Sequence, residues 1–469
     1  MRSLPAFIIL CALSLFGCQS AAQTPDATAT SPPEPSATET AGPTATDTAQ
    51  PTETPPPTAA ATSQPPTATP TRQPGELIYQ SYFGGAPAGA WDRANFEQFA
   101  KMHGNLTTDL LPGNLYSAQV PDFIYFNLRA PVAPDVVTSF VIGHLRTIVD
   151  QGLIVDITDL WEEEGWDDVF PPGISQALQI DGRHYFVPLA FQWNPVWYRA
   201  DIFAEHGLNP PDTWDELLIL CDNLNEAGLI PFAVSSVTWR PPVARWFTYI
   251  NLRLNGPEFH DMLMRGEIPY DDERVRNVFT TWQEMYEHQC FGKENTNYGQ
   301  AANQIFEGEA AMYNLGEWLS ESYTDGMPET YDFFSFPIIN PDVPRAEVVN
   351  LFGGYMMVNG THLDEAREFL RYLGTVESQT SNVEALGRVS SHAGVDQALY
   401  SEVYQKGYDL VANALAISQI FEFNTHPDFA DLALSVFVDF HRERGSDEAV
   451  EDALRLLQEQ WVETFDGGE

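Results

Sequence analysis

Residues 19–75 are almost entirely Thr, Pro, Ala and Ser. Such a stretch holds few large apolar side chains, so it cannot bury enough surface to offset the entropy of its own chain. Proline also removes backbone donors and favours extended polyproline II. The tract is therefore a spacer, and any folded body is confined to residues 76–469. As a spacer it reaches between about 40 Å as a flexible coil and about 170 Å fully extended.

A short apolar segment precedes the spacer. Arg2 supplies a positive start, Phe7 to Phe16 an apolar run, and the small residue Gly17 stands before Cys18. This is the layout of a secretory signal, and the run is too short to span a bilayer comfortably. Leu15-Phe16-Gly17-Cys18 resembles the bacterial lipobox. The resemblance implies a signal peptide over 1–17, cleavage before Cys18 and lipid on that cysteine. The protein would then sit on the extracytoplasmic face of a cell membrane, tethered by residues 18–75. At about 0.8 kcal/mol per buried CH2, two or more acyl chains hold such a protein stably.

The chain has 66 acidic and 23 basic residues, and Asp26, Glu34, Glu39, Asp47, Glu53, Arg2 and Arg72 lie before the body, which leaves it 61 and 21. That excess argues against nucleic acid and against adhesion to anionic lipid, and it disfavours a polyanionic ligand. Solubility, or a salty or acidic habitat, explains the acidity equally well. Of four cysteines, Cys11 goes with the signal and Cys18 is the lipid acceptor. Cys221 and Cys290 remain, and an exported protein permits either a disulfide or two buried thiols. No Cys/His cluster has zinc-site spacing, and no cofactor motif is present.

The body alternates strand and helix signals. Leu77 to Phe83 reads as a strand, followed by a helix capped by Asp92 and ended by Gly104. Phe123 to Phe126 reads as a second strand and Val136 to Gln151 as a helix. Thr213-Trp214-Asp215-Glu216 is a capping box opening a helix to about Ala227. Arg276–Glu287, Leu363–Leu373 and Asp447–Thr464 read as further helices, the last capped by Ser446. Alternation of this kind implies an α/β architecture with a substantially parallel sheet and ligands beyond the carboxyl ends of strands.

Several stretches, in order, are similar to the sugar-binding family of ABC-importer solute-binding proteins related to maltose- and glucose-binding proteins. Asp181-Gly182-Arg183-His184-Tyr185-Phe186-Val187-Pro188 resembles "DGKxYGVP", and Trp197-Tyr198-Arg199-Ala200-Asp201-Ile202-Phe203 resembles "WYNKDLF". Gly207 to Leu217 resembles "GLxPPxTWDEF". Phe306-Glu307-Gly308-Glu309-Ala310-Ala311-Met312 leads into Gly316-Glu317-Trp318, where the family commonly has Gly-Asp-Trp or Gly-Pro-Trp. Ala366 to Gln379 resembles the "AxxFLxxLxSxExQ" helix, and Gly387 to His392 the "GxxPxR" loop without its proline. The resemblance implies a two-lobed fold with a helix-flanked sheet in each lobe and the ligand cleft at the hinge. It further implies lobes of 76–189 plus 351–394 and of 190–350 plus 395–469, a monomer, and delivery of a carbohydrate to permease subunits by lobe closure.

A sugar offers apolar C–H faces to aromatic rings and hydroxyls to carboxylates, amides and guanidinium groups. Matching motif by motif nominates Gly84 and Gly85 after the first strand and Asn127 after the second. Gln192 and Trp193 fall at the first crossover, and Trp239, Arg240 and Trp246 after Phe232-Ala233-Val234. Glu317 and Trp318 hold the acid–aromatic position, and Tyr355 follows Gly353-Gly354 at the return. Core packing competes for every aromatic in a chain with 11 Trp, 18 Tyr and 29 Phe. A ligand-binding subunit of a sensor system would share this fold. A secreted glycoside hydrolase would need two carboxylates flanking a cleft, and acidic runs such as Glu162-Glu163-Glu164 read as solvated faces. No catalytic residue is assigned.

Overall fold

The computed structural model describes residues 76–82, 87–104, 107–112, 134–140, 143–237, 240–292, 296–322 and 327–466. All belong to one compact unit, Thr67–Glu469. The spacer, the signal, the lipobox cysteine and the strand expected at Phe123–Phe126 lie outside the described residues.

Two sheets carry the fold. The larger contains β1 (Glu76–Ser81), β2 (Thr107–Pro112), β3 (Val136–Phe140), β6 (Val187–Trp193), β11 (Ala346–Met356), β12 (Val389–Ser390) and β13 (Ala416–Ser418). Its order is β12-β6-β11-β3-β1-β2, with β13 also on β11. β4 (Gln179–Ile180) and β5 (Arg183–His184) form a separate hairpin turning at Asp181-Gly182, both with positive φ. The smaller sheet has β7 (Val196–Arg199), β8 (Ile230–Ala233), β9 (Ala310–Asn314) and β10 (Tyr331–Phe334) in the order β10-β7-β9-β8. The larger sheet is parallel at β2-β1-β3 and antiparallel where β11 meets β3 and β6. It is thus a mixed sheet, because β6 and β11 are connecting strands. β6 passes through Asn194-Pro195 into β7 of the smaller sheet.

Two expected elements differ. Val136–Phe140 is a strand and the helix begins only at Gly143. The Val-Val-Thr-Ser-Phe run opens with three β-branched residues and is buried at every position, and β1 and β11 flank it on both sides, so sheet pairing wins over the helical reading. Asp92 caps nothing: the helix starts at Ala88 after Pro87, and Asp92 lies inside it, buried, accepting from Ser81 and from the Tyr79 hydroxyl at 3.1 Å. Local signals elsewhere hold. Thr213 and Glu216 close the capping box of Trp214–Glu226. Ser446 caps Asp447–Trp461 through Ala449 N–H. Leu363–Leu373 is helical as expected.

Behind the smaller sheet, the long helix Pro241–Met264, kinked at Gly256-Pro257, stacks with the helices Glu273–Glu287, Pro427–Arg442 and Asp447–Trp461. Phe247, Phe279, Trp282, Phe437 and Phe440 interlock there with ring centroids 4.8–6.2 Å apart. Cys221 and Cys290 are disulfide-bonded, with Cα atoms 5.1 Å apart. The bond ties the Trp214–Glu226 helix to the end of Glu273–Glu287 and adds about 2–4 kcal/mol. At the root of β11, Arg253 donates to Glu347 at 3.2 Å and to the carbonyls of Phe336 and Ala346, with every partner buried. No described helix is long and apolar enough to cross a membrane. Among the described residues no cluster of His, Cys, Asp or Glu could hold a metal.

Candidate functional site

The crossover from β6 to β7 fixes one buried polar residue. Asn194 donates its backbone N–H to Val348 O at 3.0 Å, and its side-chain Oδ1 accepts from Arg245 Nε at 3.1 Å. Arg245 sits in the first turns of Pro241–Met264, a helix opened by Pro241-Pro242, where the missing N–H groups cost nothing. The guanidinium is buried, and its carbon lies 5.1 Å from the centre of the Trp318 ring, a cation–π contact. Trp318 belongs to the 3-10 turn Glu317–Ser322 after β9. Gly316 makes this possible: a Cβ there would fall 1.9 Å from the indole. The Trp197 indole N–H holds Gly316 O at 3.2 Å, and Glu317, beside it, is buried.

The larger sheet contributes the other wall. Phe140, ending β3, lies 5.3 Å from Tyr82, 5.2 Å from Phe352 and 6.2 Å from Phe423. Arg388 follows Gly387, the left-handed residue that ends the helix Val376–Leu386. Its guanidinium carbon lies 5.6 Å from the Phe352 ring centre. Asp92 is within its electrostatic reach. Burial pushes Asp92 up to about 6, and the bond from Ser81 and the charge of Arg388 pull it down.

Glu422, on the short helix Phe421–Asn424 after β13, joins the two walls. It is buried, and no other described residue donates a hydrogen bond to its carboxylate, although its own backbone N–H is within reach. Burial raises its pKa above the ordinary carboxyl value while Arg245 pulls it back. Burial lowers Arg245, and Glu422 supports its charge. Burial raises the Tyr82 phenol, which Arg388 pulls down and Glu422 pushes up. Glu422 therefore lies within electrostatic range of both Arg245 and Tyr82. A buried carboxylate with acceptor capacity left, in range of the Arg245 guanidinium and the Tyr82 ring, can receive hydroxyl donors at fixed angles.

Of the positions nominated from the sequence, the structure brings together Glu317 and Trp318. Gln192 is half-buried on β6, opposite Asn350 of β11. Trp193 lies in packed interior instead, between Phe333 at 5.8 Å and Tyr404 at 5.2 Å, with Gly407 under its ring. Trp246 is enclosed by Phe232, Phe291 and Phe336, and Tyr355 is fully buried beside Phe186. Arg240 is held at the surface by Asp431 and Ser435. Gly84, Gly85, Asn127 and Trp239 lie outside the described residues. Arg245, Glu422, Tyr82 and Phe352 escape sequence reasoning. Arg388 stands inside a quoted motif, and Asn194 ends the expected crossover.

Two sheets joined by strands passing from one to the other, with polar and aromatic groups between them, define a two-lobed binding protein. The chain belongs to the family of bacterial extracellular solute-binding proteins, whose family model matches residues 84–380. An uncharacterized ABC transporter extracellular-binding protein of Pyrococcus horikoshii is 25% identical over 233 residues, 49% of this chain and 51% of its own. The osmoprotective compounds-binding protein GgtB of Synechocystis is 23% identical over 287 residues, 58% of this chain and 66% of its own. The chain spans about half the length of the first of the curated relatives it matches. Among solved structures, the bacterial solute receptor AcbH, described as having an exclusive preference for β-D-galactopyranose, superposes with a TM-score of 0.75 at 24% identity, over 83% of this chain and 99% of that one. Maltose-bound MalE3 of T. maritima gives 0.63 at 17% identity, over 82% and 98%. These likenesses establish the two-lobed fold. The relatives are solute-binding proteins, not enzymes.

Proposed function

We propose that this chain captures a neutral carbohydrate between its two lobes and delivers it to the permease of an ABC importer as the lobes close. The observation that carries the reading is Glu422, a buried carboxylate that takes no hydrogen bond from any other described residue, lying within range of Arg245 under the Trp318 ring. Hydroxyls satisfy such a carboxylate, and the indole and the Phe352–Phe140 patch receive C–H faces. The charges favour a neutral ligand: Arg245 is offset by Glu422, and Arg388 by Asp92. Gln192 and Glu317, nominated by the family motifs, are assigned to the polar lining in this reading. Relatives named for sugars support the class, including probable sugar-binding periplasmic proteins of Mesorhizobium japonicum and Rhizobium meliloti.

In this reading the lobes are 76–189 plus 351–394 and 190–350 plus 395–469. The protein is a monomer held at the membrane by lipid on Cys18, with residues 18–75 as its tether. Thermal unfolding of the full chain against a panel of neutral mono- and oligosaccharides tests the ligand class. A ligand at a hundred times its Kd adds about 2.7 kcal/mol of apparent stability. A panel without a stabilising sugar, alongside a shift with an ionic solute, overturns the class. For the anchor, Cys18→Ala is expected to empty the membrane fraction, and an unchanged fraction refutes lipidation.

A further inference from the structure

At the end of helix Pro241–Met264 remote from Arg245 lies a second cavity of about 170 Å3, which shares no residue with the groups around Glu422. Gln176, Ala177, Gln179 and Ile180 around β4, Asp261 and Arg265 at the end of the helix, and Ile417 to Gln419 at β13 wall it, with Arg146 and Asn424 at its edge. Gln419 is 2% exposed, and neither its Nε2 nor its Oε1 has a hydrogen-bond partner among the described residues. Leaving a buried amide unsatisfied costs about 1–3 kcal/mol per group. The occupant must therefore both donate and accept at one place.

The charges exclude an anion. Arg265 donates to both oxygens of Glu267, at 2.6 and 3.1 Å. Arg146, the other cation at the rim, pairs with Asp181 at 3.3 Å. Asp261 adds a carboxyl that repels a second negative charge. Ala177, Ile180 and Ile417 form an apolar side opposite these polar groups. An amide and a carboxyl facing aliphatic side chains match hydroxyls on a short carbon chain. At about 30 Å3 per water, the cavity of about 170 Å3 holds about six water-sized volumes, the bulk of a small polyol.

We propose that this cavity is a second binding site, for a small neutral polyol of about three or four carbons. Gln419 lies three residues before Glu422, so a filled cavity steadies the segment that presents Glu422 to the cleft. The site stands on its own observations and does not depend on what the cleft binds.

Saturation-transfer NMR on the full chain, with erythritol as the probe, tests it. Transfer is expected for the native chain and for Trp318→Ala, which alters the cleft alone. Gln419→Leu removes the amide and Ala177→Met fills the space; each is expected to raise the erythritol Kd at least tenfold with near-ultraviolet circular dichroism unchanged. Should Gln419→Leu fail to fold, Ala177→Met decides. Loss of transfer in Trp318→Ala would place the polyol in the cleft. Undiminished transfer in the folded cavity variants, or no transfer to the native chain, would leave the cavity to water, and any of these results overturns the proposal.

Discussion

The two walls of the cleft use the same three kinds of group and treat them differently. Each sets a guanidinium over an aromatic ring, Arg245 on Trp318 and Arg388 on Phe352, with an acid in range of the cation. Arg245 is buried, braced by Asn194, and set against a buried Glu422. Arg388 is only half-buried. A charge pair taken out of water is held strongly once formed, because either partner alone would be stranded. A half-solvated cation keeps its water and costs little to move. In the proposed function the first wall is therefore the preset anchor, and the second the surface that adjusts to the ligand.

Four measurements bear on that contrast, taken from the largest effect. Arg245→Met strands Glu422 and is expected to cost about 3–5 kcal/mol in urea unfolding, with much of the loss recovered in the double variant Arg245→Met/Glu422→Gln. Equal stability in the single and double variants would mean that the two groups do not act as a pair. The second concerns Asp92. Its folded pKa of about 6 lies above the ordinary 3.8, so the folded state keeps a proton that the unfolded chain releases between those values. Its contribution to stability therefore falls as pH rises from about 4 to about 6, by about 3 kcal/mol, and is flat above. Asp92→Asn should remove that part of the slope, read as the difference between variant and native urea midpoints at pH 4 and pH 7. Third, Trp318→Ala should raise the Kd for the sugar proposed as ligand at least tenfold, about 1.4 kcal/mol, without unfolding the protein. Fourth, Arg388→Met should change folding stability by less than about 1 kcal/mol; a loss matching that of Arg245→Met would erase the difference between the walls.

What was legible in the sequence was what neighbours along the chain decide. The Thr213–Glu216 box, the Ser446 cap and the helix Leu363–Leu373 rest on contacts a few residues apart, and the structure keeps them. Val136–Phe140 reads locally as helix because its partners in β1 and β11 lie far away in sequence, and only they make it a strand. Asp92 reads locally as a cap because the Ser81 and Tyr79 hydroxyls that hold it belong to another element. The site divides in the same way. Trp318 stands in a motif and could be named, whereas Glu422 is one acid among many until folding brings it to Arg245, 177 positions earlier. Trp193 and Trp246 show the converse, since a dense aromatic run says that rings are buried without saying against what.

The position of β1 has a mechanical consequence. It is the first strand of the body, and it lies between β2 and β3 with parallel ladders on both sides. A pull applied at Glu76 along this strand loads it lengthwise. Its hydrogen bonds run across that axis, so they share the load and must shear together; none can be peeled open one at a time. On the proposed tether, a receptor swept by flow would be gripped at an interior strand, where traction meets more resistance than it would at a sheet margin.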